Sequence, residues 1–347
     1  AIVFILISGP IGLTAAYLTY FERKVIAFIQ SRIGPNRVGP QGLLQPIADL
    51  VKMLQKEDII PLKADAFLFR LAPYIVFVST FLAMVIVPLG RGLVAGDLNV
   101  GLLYLIGVSS LASIGIFMAG WSSNNKFSLY GAIRSIAQLV SYEIPQVFAL
   151  LAVATLAGSM RVSEVVNAQN SITLYFMDKS FQAPFWFIVP QFLGFIIFLI
   201  TGIAETHRTP FDLPEAESEL VAGFTTEYSG IRFGLFFAAE YMNVVLVSIF
   251  ISCFYLGGWL PPSPLYETAE AAKAAGHPLM SLQTFPIWLS MLILAAKTSM
   301  AIFIIFWIRA TLPRFRVDQL MDFAWKVLIP LSIFNLLLAA LEVMWIA

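Results

Sequence analysis

The chain has 347 residues, 59% hydrophobic and 12% charged, with a mean hydropathy of +0.85 and a formal net charge of zero. Soluble domains carry about 25% charged residues, so this is the composition of an integral membrane protein, and the charge balance argues against nucleic acid as a partner. One cysteine (Cys253) and two histidines (His207, His277) exclude a disulfide framework and an iron–sulfur cluster, and leave no easy bis-histidine haem site.

A helix needs about 20 mainly apolar residues to cross the hydrocarbon core. Eight stretches qualify: Ile2–Phe21, Phe67–Leu89, Val100–Trp121, Ile136–Ala157, Phe185–Ala204, Phe233–Gly258, Phe285–Ile308 and Val327–Ile346. The first is too long for a signal-peptide core and lacks a cleavage-like exit, so it reads as a retained span. The expected fold is an all-α polytopic membrane domain over residues 1–347, with loops 22–66, 122–135, 205–232 and 309–326 on one side. Those loops, with the first counted through Arg70, carry 16 Lys and Arg. The opposite loops carry four, Arg91, Arg161, Lys179 and Lys273. The positive-inside rule puts the basic loops on the cytoplasmic or matrix side and both termini outside.

The first inner loop opens with the rigid Gly34-Pro35 and Gly39-Pro40 turns. Leu43, Leu44, Ile47, Leu50, Val51 and Leu54 then recur at helical spacing against Asp49, Lys52, Gln55 and Lys56. This predicts an interfacial amphipathic helix, too short and polar to span. Short surface helices are expected in the outer loops at Ser163–Ser171 and Tyr266–Gly276. No internal repeat is evident, which counts against a transporter.

Apart from Arg70, counted with the first inner loop, four ionisable residues fall within the spans: Glu143, Glu240, Lys297 and Glu342. Such groups are costly in a bilayer and default to function. Glu143 and Glu240 each lie about seven residues, or roughly 10 Å, in from the inner face, and Glu205 ends the fifth span on that side. The three acids are expected to form a ring in the inner half of the membrane. Desolvation and like charge act together on such carboxylates, which suits them to exchange protons near neutral pH. The plainer alternative is that Glu143 and Glu240 pair with Arg or bond to Tyr142, Tyr241 or Gln146. Lys297, mid-span, is either a proton relay or a counter-ion for Glu240 or Glu143. Glu342 reads as snorkelling to water at the outer end, and Cys253 as packing.

The ring continues into Gly202–Glu227, where Glu205, Asp212, Glu215, Glu217, Glu219 and Glu227 stand with Arg208 in 26 residues. Asp212-Leu213-Pro214-Glu215 reads as a helix start, with Asp212 as N-cap and Glu215 in the capping-box position. That leaves Glu217, Glu219, Glu205 and Glu227 without a structural task. His207 is a loop hydrogen bonder or a proton donor, since no second ligand makes a metal site of it. Arg23, Arg32 and Arg37 face a quinone or lipid headgroup, or the anionic membrane surface.

Five inner segments are distinctive: FERKVIAFIQSRIGPNRVGPQGLLQPIADLVKMLQKE, GWSSNNKFSLYGAIRSIAQLVSYE, AETHRTPFDLPEAESELVAGFTTEYS, GLFFAAEYMN and WIRATLPRFRVDQLM. On these, and nearly end to end, the chain resembles the membrane subunit of respiratory complex I (the H subunit of the bacterial enzyme, subunit 1 of the mitochondrial one). The resemblance implies a non-redox subunit of an NADH:quinone oxidoreductase, binding no cofactor itself and taking quinone as substrate of the whole. It implies that this chain forms the membrane side of the quinone chamber and anchors the hydrophilic arm. Its partners would be the soluble quinone-site subunits, neighbouring membrane subunits and lipid. Glu143, Glu205, Asp212, Glu215, Glu217, Glu219, Glu227 and Glu240 match the family's proton-linking acids, and Lys297 its membrane lysine. The Arg32–Asp49 region matches the quinone entrance, and Glu22, Arg23 and Phe224 match positions near the tunnel. One departure is His207, where many members read Asn within ETNR. The Ala-rich outer loop points to a bacterial plasma membrane rather than a mitochondrial inner one. The competing readings are a stand-alone cation/proton antiporter using Glu143, Glu240 and Lys297, the related subunit of a membrane-bound hydrogenase, and a pure scaffold.

Overall fold

Helices occupy all eight expected positions in the computed structural model, which describes residues 2–169, 172–176, 179–183, 186–212, 221–261 and 286–346. The first, α1 (Ile2–Ile29), has 28 residues. At 1.5 Å per residue it is longer than a bilayer core of about 30 Å, so its last turns, carrying Glu22 and Arg23, extend beyond the apolar run. A turn with left-handed Gly39 and Gly42 leads to α2 (Gln45–Gln55). A Cβ at Gly42 would collide with the Pro35 carbonyl, so only glycine makes this reversal. Leu43, Leu44, Ile47, Leu50, Val51 and Leu54 are all exposed, leaving an uncovered apolar stripe along α2 and the residues just before it.

Next come α3 (Ala66–Ala83), tightening into a 3-10 turn at Met84–Ile86, and α4 (Gly101–Ser122). The Asp65 carboxylate accepts from the Phe67 and Leu68 amides to cap α3. Helix α5 (Lys126–Ala157) begins ten residues before the expected span, because Asn125 caps it by accepting from the Phe127 amide at 3.0 Å. It ends on left-handed Gly158. On the opposite side, α6 (Val162–Ala168) confirms the first short surface helix. The Tyr266–Gly276 helix lies outside the described residues. An antiparallel pair, β1 (Ile172–Phe176) and β2 (Lys179–Ala183), departs from the all-α expectation. It belongs to the loop, and the apolar stretches themselves are helical.

The fifth span is shortened to α7 (Phe192–Glu205). The preceding residues 186–191 turn instead of extending the helix: the Ile188 amide donates to the Tyr255 carbonyl and the Val189 amide to that of Trp186. Then follow α8 (Gly230–Tyr255), α9 (Ile287–Thr311) and α10 (Val317–Phe323), the last joined through a π turn at Ala324–Leu328 to α11 (Ile329–Ile346). Among the described residues six helices are long and apolar enough to cross a membrane: Ala66–Ile86, Gly101–Ser122, Lys126–Ala157, Gly230–Tyr255, Ile287–Thr311 and Val317–Met344.

Helix α8 is the hub. Of its apolar stretch 67% is buried, against 22–50% for the other five, and it packs on α1, α2, α3, α6, α7 and α9. A second layer, α3–α4–α5–α7 with α11 on α5, closes around one side of it. A smaller core fills one end, where Phe69 stacks on Tyr228 at 4.0 Å and Phe224 meets Phe236 edge-on at 5.4 Å. There α5 crosses the Gly223–Thr225 turn so closely that a Cβ on Gly131 would sit 2.6 Å from the Gly223 Cα.

Candidate functional site

Glu143 from α5, Glu205 from the end of α7 and Glu240 from α8 line a single cavity of about 80 Å³, together with His207 and Phe224. A water needs about 10–15 Å³ on this measure, so the space admits several. The expected ring of three carboxylates is therefore a shared chamber. Its wall is otherwise apolar, with hydroxyls from Ser79, Thr80, Ser109, Ser110 and Ser113 and the amides of Gln146 and Asn243. Ser110 Oγ makes a short hydrogen bond to Glu143 Oε1, and Gln146 Nε2 donates to Glu205 Oε2 at 2.9 Å. Both of these donors are neutral, so neither bond locks Glu143 or Glu205 into an ion pair.

The loop after α7 ties this chamber to a cluster of ions. Gln138 of α5 holds the loop by donating to both the Ala204 and Phe211 carbonyls at 2.8 Å. His207, 6% exposed, adopts a left-handed φ of 49°. Asn is more at home there than most residues, so the departure at this position sets an imidazole on a backbone shape that an amide would also fit. Burial, with Arg208 beside it, pushes the His207 pKa down to about 4. The ring is neutral at pH 7, and its Nε2 is buried without a hydrogen-bond partner.

One peptide unit further on, Arg208 lies over the Tyr241 ring at 4.3 Å and reaches Glu22 of α1 at 3.5 Å. Glu22 is 2% exposed and also pairs with Arg309 of α9. Arg314 pairs with Asp212 at 3.0 Å. Three arginines thus converge on two carboxylates, with Glu22 Oε2 and Arg208 Nε and Nη2 buried and unpartnered. A buried pair of this kind is strongly destabilised by loss of one member.

The other expected residues separate. Arg23 pairs with Asp49 at 2.9 Å, and Gln45 donates to the same carboxylate at 3.1 Å; this joins α1 to α2 at an exposed edge beside Glu22. Arg32 donates to Gln30 at 2.7 Å. Phe224 belongs to the chamber wall. Glu227 accepts from the Asn125 side chain at 2.5 Å, which gives it a structural task at the start of α5. Glu215, Glu217 and Glu219, and with them the helix expected to start after Asp212, lie outside the described residues. Lys297 points elsewhere, to carbonyls beyond the end of α8. Glu342 accepts from Gln191 at 3.1 Å.

Sequence reasoning passed over Gln138, Ser110 and Arg309. Arg309 looked like one more inner-side charge; its only signal was a position on the last turn of an apolar helix, where burial and exposure look alike.

The sequence pattern of the NADH dehydrogenase family matches residues 2–340. This chain belongs to that family. A Brevibacillus brevis protein, named as the H subunit of NADH-quinone oxidoreductase, is 46% identical over 327 residues, 94% of this chain and 88% of that one. The proteins of the same name from Chlorobaculum tepidum (47%, covering 94% and 87%) and Dehalococcoides mccartyi (46%, covering 98% and 86%) are similarly related. Within the NADH dehydrogenase family, the chamber and the ion cluster are therefore parts of a chain aligned over nearly its whole length.

Proposed function

We propose that this chain is the membrane subunit of a proton-pumping NADH:quinone oxidoreductase, crossing a bacterial plasma membrane eight times with both termini outside. The names of its relatives supply the enzyme, and the charge bias of its loops supplies the orientation. The observation that carries the coupling role is the convergence of Glu143, Glu205 and Glu240 on one chamber, one peptide unit from a buried ion cluster. Quinone and the soluble arm would meet the inner edge formed by Glu22, Arg23 and Asp49. A change of charge there perturbs Arg208, which is bonded to Glu22 and adjacent to His207 on the chamber wall. Low-dielectric surroundings make such a perturbation felt across several ångströms, and the carboxylates respond by moving protons. The chain itself binds no redox centre in this reading. Glu215, Glu217 and Glu219 would extend the acid set toward the partner subunits.

The antiporter reading needs Lys297 as a partner of Glu143 or Glu240, and the ammonium is instead spent on backbone carbonyls. The test is the assembled enzyme carrying Glu240→Gln in sealed vesicles. NADH:quinone turnover and proton pumping should both fall at least ~10-fold, as removal of a group active in proton transfer does, while reduction of an artificial acceptor persists. Wild-type turnover and pumping would return Glu240 to a structural role.

A further inference from the structure

The sixth apolar helix, α8, stops at Tyr255, and the chain leaves it through Gly257 and Gly258, both left-handed with φ of 72° and 51°. Such an end strands carbonyls that water would satisfy in a soluble protein, but inside an apolar bundle protein groups must do so. Two side chains divide the task. Gln169, following α6, donates to the Cys253 carbonyl at 2.7 Å and accepts from the Gly257 amide at 2.8 Å. Lys297 of α9 donates to the carbonyls of Leu256, Gly258 and Leu260 at 2.6, 2.9 and 2.5 Å, with the Trp186 ring 4.3 Å from its nitrogen.

An ammonium has three protons and no acceptor. Three carbonyls account for all of them, so none remains for a carboxylate. The surroundings are those of a bound monovalent cation: carbonyl oxygens replace its hydration shell, an aromatic face covers it, and the negative end of a helix dipole points toward it.

We infer that the carbonyls of Leu256, Gly258 and Leu260 form a monovalent-cation cradle whose resident ion is the Lys297 ammonium. Lys297 is thus a positioning residue that fastens α8 to α9, outside the carboxylate pathway. The inference stands on this geometry and not on the proposed function.

The test is the assembled enzyme purified with Lys297→Ala, heated in detergent, with the fraction remaining soluble and monodisperse followed over time. The half-life should shorten roughly tenfold, the scale of losing hydrogen bonds to a charged group. Ammonium chloride should restore it several-fold. Tetramethylammonium chloride at equal ionic strength should not, because that ion has no N–H to donate. Protons pumped per NADH, measured in vesicles without ammonium, should match wild type. Equal effects of the two salts, or a fall in pumping stoichiometry at unchanged half-life, would overturn the inference. If the alanine variant fails to assemble, Lys297→Gln keeps two donors in the cradle. It should assemble with an intermediate half-life and full stoichiometry, and the opposite pattern would count against the cradle.

Discussion

The two ends of α8 bury polar chemistry in opposite ways. Beyond its C-terminal end, Lys297 meets backbone carbonyls that cannot titrate, and its bonding capacity is used up. Along its N-terminal half, Glu240 shares a chamber with two further carboxylates and an imidazole, beside a cluster in which Glu22 Oε2, His207 Nε2 and Arg208 Nε and Nη2 keep unspent capacity. Saturation makes a fastening. Incomplete pairing among titratable groups leaves room for protons to be exchanged, at some cost in stability.

That contrast is broken most forcefully at Arg309. Arg309→Met leaves the Glu22 carboxylate buried with only the 3.5 Å contact to Arg208. We expect a loss of ~3–5 kcal/mol, read as a sharp drop in the amount of this chain recovered in assembled enzyme from membranes. Near-normal recovery would mean that Glu22 is not held as a buried anion.

His207 sharpens the contrast through pH. Its folded pKa of about 4 lies below the ordinary 6.5, so the unfolded chain binds the extra proton between those values. The stabilisation from the neutral ring is complete above pH 6.5 and is lost as pH falls toward 4, up to ~3 kcal/mol. Half-lives of the assembled enzyme at pH 7.5 and 4.5 should therefore differ less in His207→Asn than in wild type. Asn suits the left-handed backbone and does not titrate. Identical pH slopes would remove His207 from the account.

The smallest effect is expected at the exposed edge. Asp49→Asn breaks a pair whose side chains are 28% and 47% exposed, and should cost under ~1 kcal/mol of stability. If this edge meets quinone, the variant should raise the KM for quinone while thermal half-life stays unchanged. An unaltered KM would detach α2 from the quinone reading.

Much of this was legible because bilayer-facing helices obey a simple rule: each apolar run expected to span holds a helix, though the fifth only over Phe192–Glu205, and each acid placed near the inner face by counting, Glu143, Glu205 and Glu240, lines the chamber. Lys297 shows where that rule stops. Its position in the run located it mid-helix, but the carbonyls that receive it belong to a bend more than 35 residues away. Phe224 and Asp49, coupled by family resemblance, fell into different environments, one a chamber wall and the other an exposed ion pair.

By itself, the sequence determined that the chain is a bundle of apolar helices, because hydropathy acts locally and needs no knowledge of neighbours. Tertiary structure alone decided which charges answer one another. Glu22 with Arg208 and Arg309, Gln138 with the loop after α7, and Lys297 with the end of α8 all join residues far apart in the chain. Whether a buried ion is paired with a side chain, a carbonyl or a cavity depends on which helices cross beside it.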